Sequence, residues 1–98
     1  MPIPNWKYGV VDLANDVSTV SPVSVAVKGY YVNEALSAHA CNINDGADTA
    51  FIIPASTVAG TLVEFTSVDG VIFENSLIID PDNSATGNIT VIYRERTR

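Results

Sequence analysis

The amino-acid sequence predicts an all-β protein, an antiparallel β-sandwich of about eight short strands with an extended N-terminal arm. Three observations point there. Apolar and polar residues alternate with period two along several stretches, the spacing of a strand with one buried face. Clusters of Gly, Pro, Asn and Asp interrupt the chain about every 8–12 residues, the turn interval of sandwiches and barrels. No amphipathic stretch is long enough for a stable helix, and there is no internal repeat or low-complexity tract.

Taken in order, residues 1–7 (MPIPNWK) carry Pro2 and Pro4, which fix φ and disfavour helix before them. They read as an extended arm, with Trp6 either anchoring it or plugging the core, ahead of a single domain over 8–98. Residues 8–14 predict a first short strand and 15–22 a polar loop. Residues 23–33 alternate most clearly, Val23, Val25 and Val27 against Ser24, Ala26 and Lys28. Gly29 then interrupts as a β-bulge does. Tyr30 and Tyr31 are consecutive, so one faces inward and the other outward, where a tyrosine suits an interface. Over 35–43, His39, Cys41 and Ile43 alternate with Ala38, Ala40 and Asn42, which predicts a strand ended by a turn at 44–46. Residues 49–54 predict a strand stopped by Pro54, 56–60 a turn, and 61–67 a strand. Asp69 and Gly70 mark a turn of hairpin type. Strands at 71–74 and 76–80 are split by Asn75, and 88–96 places Ile89, Val91 and Tyr93 on one face.

Composition narrows the function. At 98 residues the chain is one domain, and its 47% hydrophobic content argues against disorder. Charged residues make up 16%, against about 25% in an average protein, so Ser, Thr, Asn and Ala supply most of the solvated surface. The net charge is −6, with only five Lys and Arg. A nucleic-acid partner is therefore not expected, because counterion displacement needs a basic stripe. No run approaches the ~20 apolar residues of a membrane helix, and the N-terminus does not read as a signal peptide. The single Cys41 excludes an intrachain disulfide and a Cys-based zinc cluster.

Few residues suggest site chemistry. In residues 80–87 (DPDNSATG), Asp80, Asp82 and Ser84 match the first oxygen positions of an EF-hand loop. Ala85 stands where that loop needs Gly, and Val91 where it needs a bidentate Glu. Turn chemistry explains the same residues: Pro81 presets φ, Asp and Asn bond nearby backbone, and Gly87 takes positive φ, so the segment reads as a hairpin connector. His39 and Cys41 are a base and a nucleophile type, but two apart on a strand their Cα atoms lie about 6.5–7 Å apart. A lone His also makes a poor zinc site. No catalytic, metal or cofactor residue is assigned, and no enzyme activity is expected. Candidate interface residues are the aromatics Trp6, Tyr8, Tyr30 and Tyr31 with the terminal cations Arg94, Arg96 and Arg98; the cations either pair with an acidic neighbour or form a solvated end.

One arrangement has a family likeness. Gly70, Ile72, Phe73, Asn75 and Leu77 precede a last strand ending in Val91, Tyr93 and Arg94. Across roughly residues 23–95 this resembles small structural proteins of tailed-phage virions, with Ser76 departing from the more usual glycine. The resemblance implies a jelly-roll-like sandwich, a homotrimer, that coats or cements a phage head as a decoration protein. It implies the major capsid protein as partner, the capsid surface of the virion as location after synthesis in the host cytoplasm, and no cofactor. The alternative is a tail- or fibre-associated carbohydrate- or receptor-binding β module.

Overall fold

A computed structural model of the chain describes residues 6–65 and 70–96. Among these residues there are nine strands and no helix. One sheet holds β1 (Lys7–Asp12), β9 (Asn88–Glu95), β3 (Val25–Glu34), β6 (Leu62–Glu64) and β7 (Val71–Phe73), the last two both pairing with β3. The other holds β2 (Ser18–Ser21), β8 (Leu77–Pro81), β4 (Cys41–Asp45) and β5 (Asp48–Ile53). Every pairing is antiparallel.

The chain is wound as one long hairpin. β4 pairs β5 at its tip, β3 pairs β6 and β7 behind it, then β2 pairs β8, and β1 pairs β9 at the open end. Rolling that hairpin up adds the pairings β3 with β9 and β4 with β8. The resulting orders, β1-β9-β3-β6 and β2-β8-β4-β5, are those of a jelly-roll sandwich.

The core lies between the sheets. Val25, Val27, Val32, Ile89 and Val91 of the larger sheet are fully buried, and face Cys41, Ile43, Ile53, Leu77 and Ile79 of the smaller one. Phe51 stacks on Phe65 at 4.5 Å and lies 6.3 Å from Phe73, closing the β5 side of the sandwich. At the opposite side Glu95 accepts from Ser21 on β2 at 3.3 Å and pairs with Lys7 at 3.3 Å.

The inward row of β3 changes parity partway along. Val27 pairs with Tyr93, but the next register partner, Ile92, pairs with Gly29, so Lys28 is an extra residue. This is the bulge expected at Gly29. Val25 and Val27 point in before it and Tyr30 and Val32 after it. A side chain at Gly29 would overlap the Val63 carbonyl oxygen. β6 ends and β7 begins on either side of the bulge, and the Lys28 carbonyl accepts from Phe65 N–H at 2.8 Å.

Several local expectations are corrected by tertiary pairing. Residues 15–22 are not all loop: Ser18–Ser21 pairs with β8, and Val20 packs against the core. The strand expected over 35–43 begins only at Cys41, because Leu36 and Ser37 donate their N–H groups to Thr57 and Thr86 in two loops. Asn44 and Asp45 belong to β4, and the turn comes at 46–47. Residues 82–87 are no hairpin connector, since β8 and β9 lie in different sheets; they cross the end of the sandwich. The segment 74–76 crosses likewise between β7 and β8. Ala26, expected on the solvated side, is fully buried between Arg94 and Ile72 of the adjacent strands. The first strand starts at Lys7, so the arm boundary moves inward by one residue. Residues 1–5 of that arm, the turn at Asp69, and Arg98 lie outside the described residues.

Two substitutions measure these constraints. Ile79→Ala, which empties a fully buried site opposite Ile43, is expected to cost about 2–5 kcal/mol in urea unfolding. Gly29→Ala is expected to cost about 1–3 kcal/mol, because the atom it displaces is backbone.

Candidate functional site

The residues that point away from the core differ sharply between the two sheets. On the larger sheet they form rows across β1, β9, β3 and the β6–β7 edge. Asp12, Asn88 and Glu34 share one end, where Asn33 Nδ2 donates to Asn88 Oδ1 at 2.7 Å and Thr90 Oγ1 at 2.8 Å. The next row is Val10, Thr90, Tyr31 and Leu62. After it come Tyr8, Ile92, Gly29 and Glu64. The far end carries Trp6, Arg94, Ala26 and Ile72, with the Arg94 guanidinium carbon 5.3 Å and the Lys28 ammonium 5.9 Å from the Trp6 ring centroid.

Five of the nine exposed large hydrophobic residues among those described lie on this face: Tyr8, Val10, Tyr31, Leu62 and Ile72. Tyr8 is 68% exposed and Val10 66%. Exposed apolar residues set side by side make this face the candidate interaction surface, where scattered single residues would carry no such signal. The outer residues of the smaller sheet are more polar. At one end of it Ala40, Asn42, Asp80, Pro81, Asp82 and Asn83 line an open polar depression of about 400 Å³.

The candidate interface residues are divided by the fold. Trp6, Tyr8, Tyr31 and Arg94 share the outer face. Trp6 anchors there and is not part of the core. Tyr30 is corrected to a core residue: it is 7% exposed, and burial followed by the nearby Cys41 pushes its hydroxyl pKa up. Arg96 pairs with Glu74 at 3.2 Å and donates its N–H to the Ser24 carbonyl, so it closes the sandwich end as part of the fold. Val10, Leu62 and Ile72 join the face without a chemical signal of their own. Only their place in the strand alternation marks them.

The other reactive groups are kept apart. Cys41 is fully buried, and burial, with a smaller push from Asp80, raises its thiol to about 12. His39 sits half-buried with Nδ1 3.5 Å from Asp82 Oδ2. Among the described residues no three of His, Cys, Asp and Glu converge as metal ligands would. Asp82 also orders the crossing loop, accepting at Oδ1 from the Asn83 N–H at 3.1 Å. Asp45 caps the 74–76 corner. Burial raises its carboxyl, but the N–H groups of Asn75, Glu74 and Ser76 outweigh that and hold it below its ordinary value.

Comparison of the chain with protein-family models, with curated proteins and with solved structures returned no match.

Two outcomes follow from these groups. A thiol reagent at pH 8 is expected to modify native Cys41 more than about 100-fold more slowly than the unfolded chain; equal rates would restore Cys41 as an available nucleophile. Asp45→Ala is expected to cost about 1 kcal/mol at pH 7. Because the folded carboxyl lies below its unfolded value, that stabilisation is present above about pH 4 and lost as pH falls through the folded value. A gap between wild type and variant that persists at pH 2 would contradict this role.

Proposed function

We propose that this protein is a non-enzymatic structural component of a tailed-phage virion, a cement or decoration protein that stabilises the head against the major capsid protein. The observation that carries the reading is the apolar outer face of the larger sheet, with Val10 66% and Leu62 53% exposed. A protein that works by coating a lattice covers such a face against a neighbour. The virion assignment itself rests on the sequence resemblance that runs through Gly70, Phe73, Leu77, Val91 and Tyr93. The jelly-roll winding supports it as an architecture used in viral capsids, though lectins share it and a fold alone does not set function. A surface poor in charge supports it too, because covering Ser, Thr and Ala costs little desolvation.

A tail- or fibre-associated carbohydrate- or receptor-binding module is the second reading. Exposed Tyr31, opposite Thr90 and so beside the Asn33 and Asn88 amides, favours it, since glycan sites combine aromatic faces with polar groups.

Adding the purified protein to phage heads that lack it separates the two. Saturable co-sedimentation and a higher melting temperature of the heads are expected. Unchanged melting with the protein left in the supernatant would overturn the cement reading, and binding on a glycan array would then support the second.

A further inference from the structure

The sequence holds two Asp–Gly pairs, at 45–46 and 69–70. Such a pair can close on itself. The Gly nitrogen attacks the Asp Cγ, because no Cβ on the next residue hinders the approach. The protonated carboxyl loses its hydroxyl as water, the Gly N–H gives up its proton, and a five-membered succinimide forms. Water then opens either ring carbonyl. One opening returns aspartate; the other gives isoaspartate, in which the main chain runs through Cβ and Cγ. One water leaves and one enters, so no other reactant is needed. Closure requires a protonated carboxyl, a side chain turned back over its own peptide, and an accessible Gly nitrogen.

The fold withholds all three at Asp45 and Gly46. Burial works against a charge there, but the N–H groups of Asn75, Glu74 and Ser76 outweigh it and favour the ionised carboxylate. Oδ2 accepts from the Glu74 N–H at 3.0 Å and Oδ1 from the Asn75 N–H at 2.9 Å, so both oxygens are turned toward the 74–76 corner. The Gly46 N–H donates to the Ser76 carbonyl at 3.4 Å. Asn75 Cβ lies 3.1 Å from where a Cβ on Gly46 would stand, so the same corner also covers the glycine.

We propose that Asp45–Gly46 is a site of spontaneous aspartyl isomerisation held shut by the 74–76 corner, so that isoaspartate at 45 marks chains that have opened there. Asp45 ends β4, pairs with Asp48 across the 46–47 turn, and caps the corner. Isomerisation lengthens the main chain of that turn by one atom and leaves the free carboxylate directly on Cα. A single reaction therefore disturbs both the β4–β5 hairpin tip and the cap, and a modified chain does not regain the original packing. The inference is independent of the virion reading, because it concerns the purified chain alone.

Long incubation at mildly acid pH, native and in guanidinium chloride, followed by digestion with the endoproteinase Asp-N, tests it. That protease cuts before aspartate and not before isoaspartate, so the modification leaves fragments 16–44 and 45–47 joined, while the 69–70 pair is read in its own peptide. The native rate at 45 is expected to be at least about ten-fold below the unfolded rate, since reaction waits on local opening. Guanidinium below the unfolding transition is expected to raise that rate in step with hydrogen exchange of the Glu74, Asn75 and Ser76 amides. The purified isoaspartyl chain is expected to melt at least about 4 °C below the unmodified chain. Equal native and unfolded rates, a rate that does not follow opening of the corner, or an isoaspartyl chain with unchanged melting would overturn the proposal.

Discussion

The extra residue at Lys28 is the constraint on which the architecture turns. β3 pairs with β9 on one side and with both β6 and β7 on the other. Strict alternation from Val25 and Val27 would carry Tyr31 inward and Tyr30 outward. The bulge reverses that, so Tyr30 and Val32 continue the buried row and Tyr31 reaches solvent. Gly29 makes the reversal sterically feasible, since the Val63 carbonyl occupies the space a side chain would need. With the wrong parity the core would lose Val32 and gain a solvated asparagine, a cost no surface adjustment offsets.

The same strand explains why the two sheets differ outside. Once β3 and β9 have spent one row on the core, the opposite row comprises Tyr31, Thr90, Ile92 and Arg94. β1 adds Tyr8 and Val10, and β6 adds Leu62. Trp6 sits at the Arg94 end, with the Arg94 guanidinium carbon 5.3 Å and the Lys28 ammonium 5.9 Å from its ring centroid. Among the described residues nothing else covers Tyr8, Val10, Tyr31 and Leu62, and contiguous exposed hydrophobic surface is often an interaction site.

The crossings at both ends of the sandwich are held by polar groups. The Asp45 carboxylate gathers three N–H groups of the 74–76 corner, and Asp82 braces the 82–87 crossing beside His39. A loop that resembles an oxygen-rich cation site in sequence thus turns Asp82 onto its own backbone, at the Asn83 N–H. Gly87 takes φ +127° there, with the Ala35 carbonyl 2.9 Å from where a Cβ would stand. Cys41 and His39 illustrate the same economy: one fills the core and the other pairs at the surface, so their nearness in sequence has no chemical consequence.

The sequence by itself determined the all-β class, most strand positions, the bulge at Gly29, and the opposed directions of Tyr30 and Tyr31. These depend on local rules: period two, the freedom of glycine, and the breaking power of proline and turn residues. It did not reveal which tyrosine was buried, because a one-residue slip changes every side chain's face. Nor did it separate a hairpin from a crossing, since the turn residues of 74–76 and 82–87 suit both. Ser18–Ser21 became a strand only because β8 was there to pair with it. The candidate face was legible through Trp6, Tyr8, Tyr31 and Arg94, whose chemistry stands out. Val10, Leu62 and Ile72 became part of it only when the rolled hairpin set four distant segments side by side, because adjacency across strands is a property of register, and register is decided by tertiary packing.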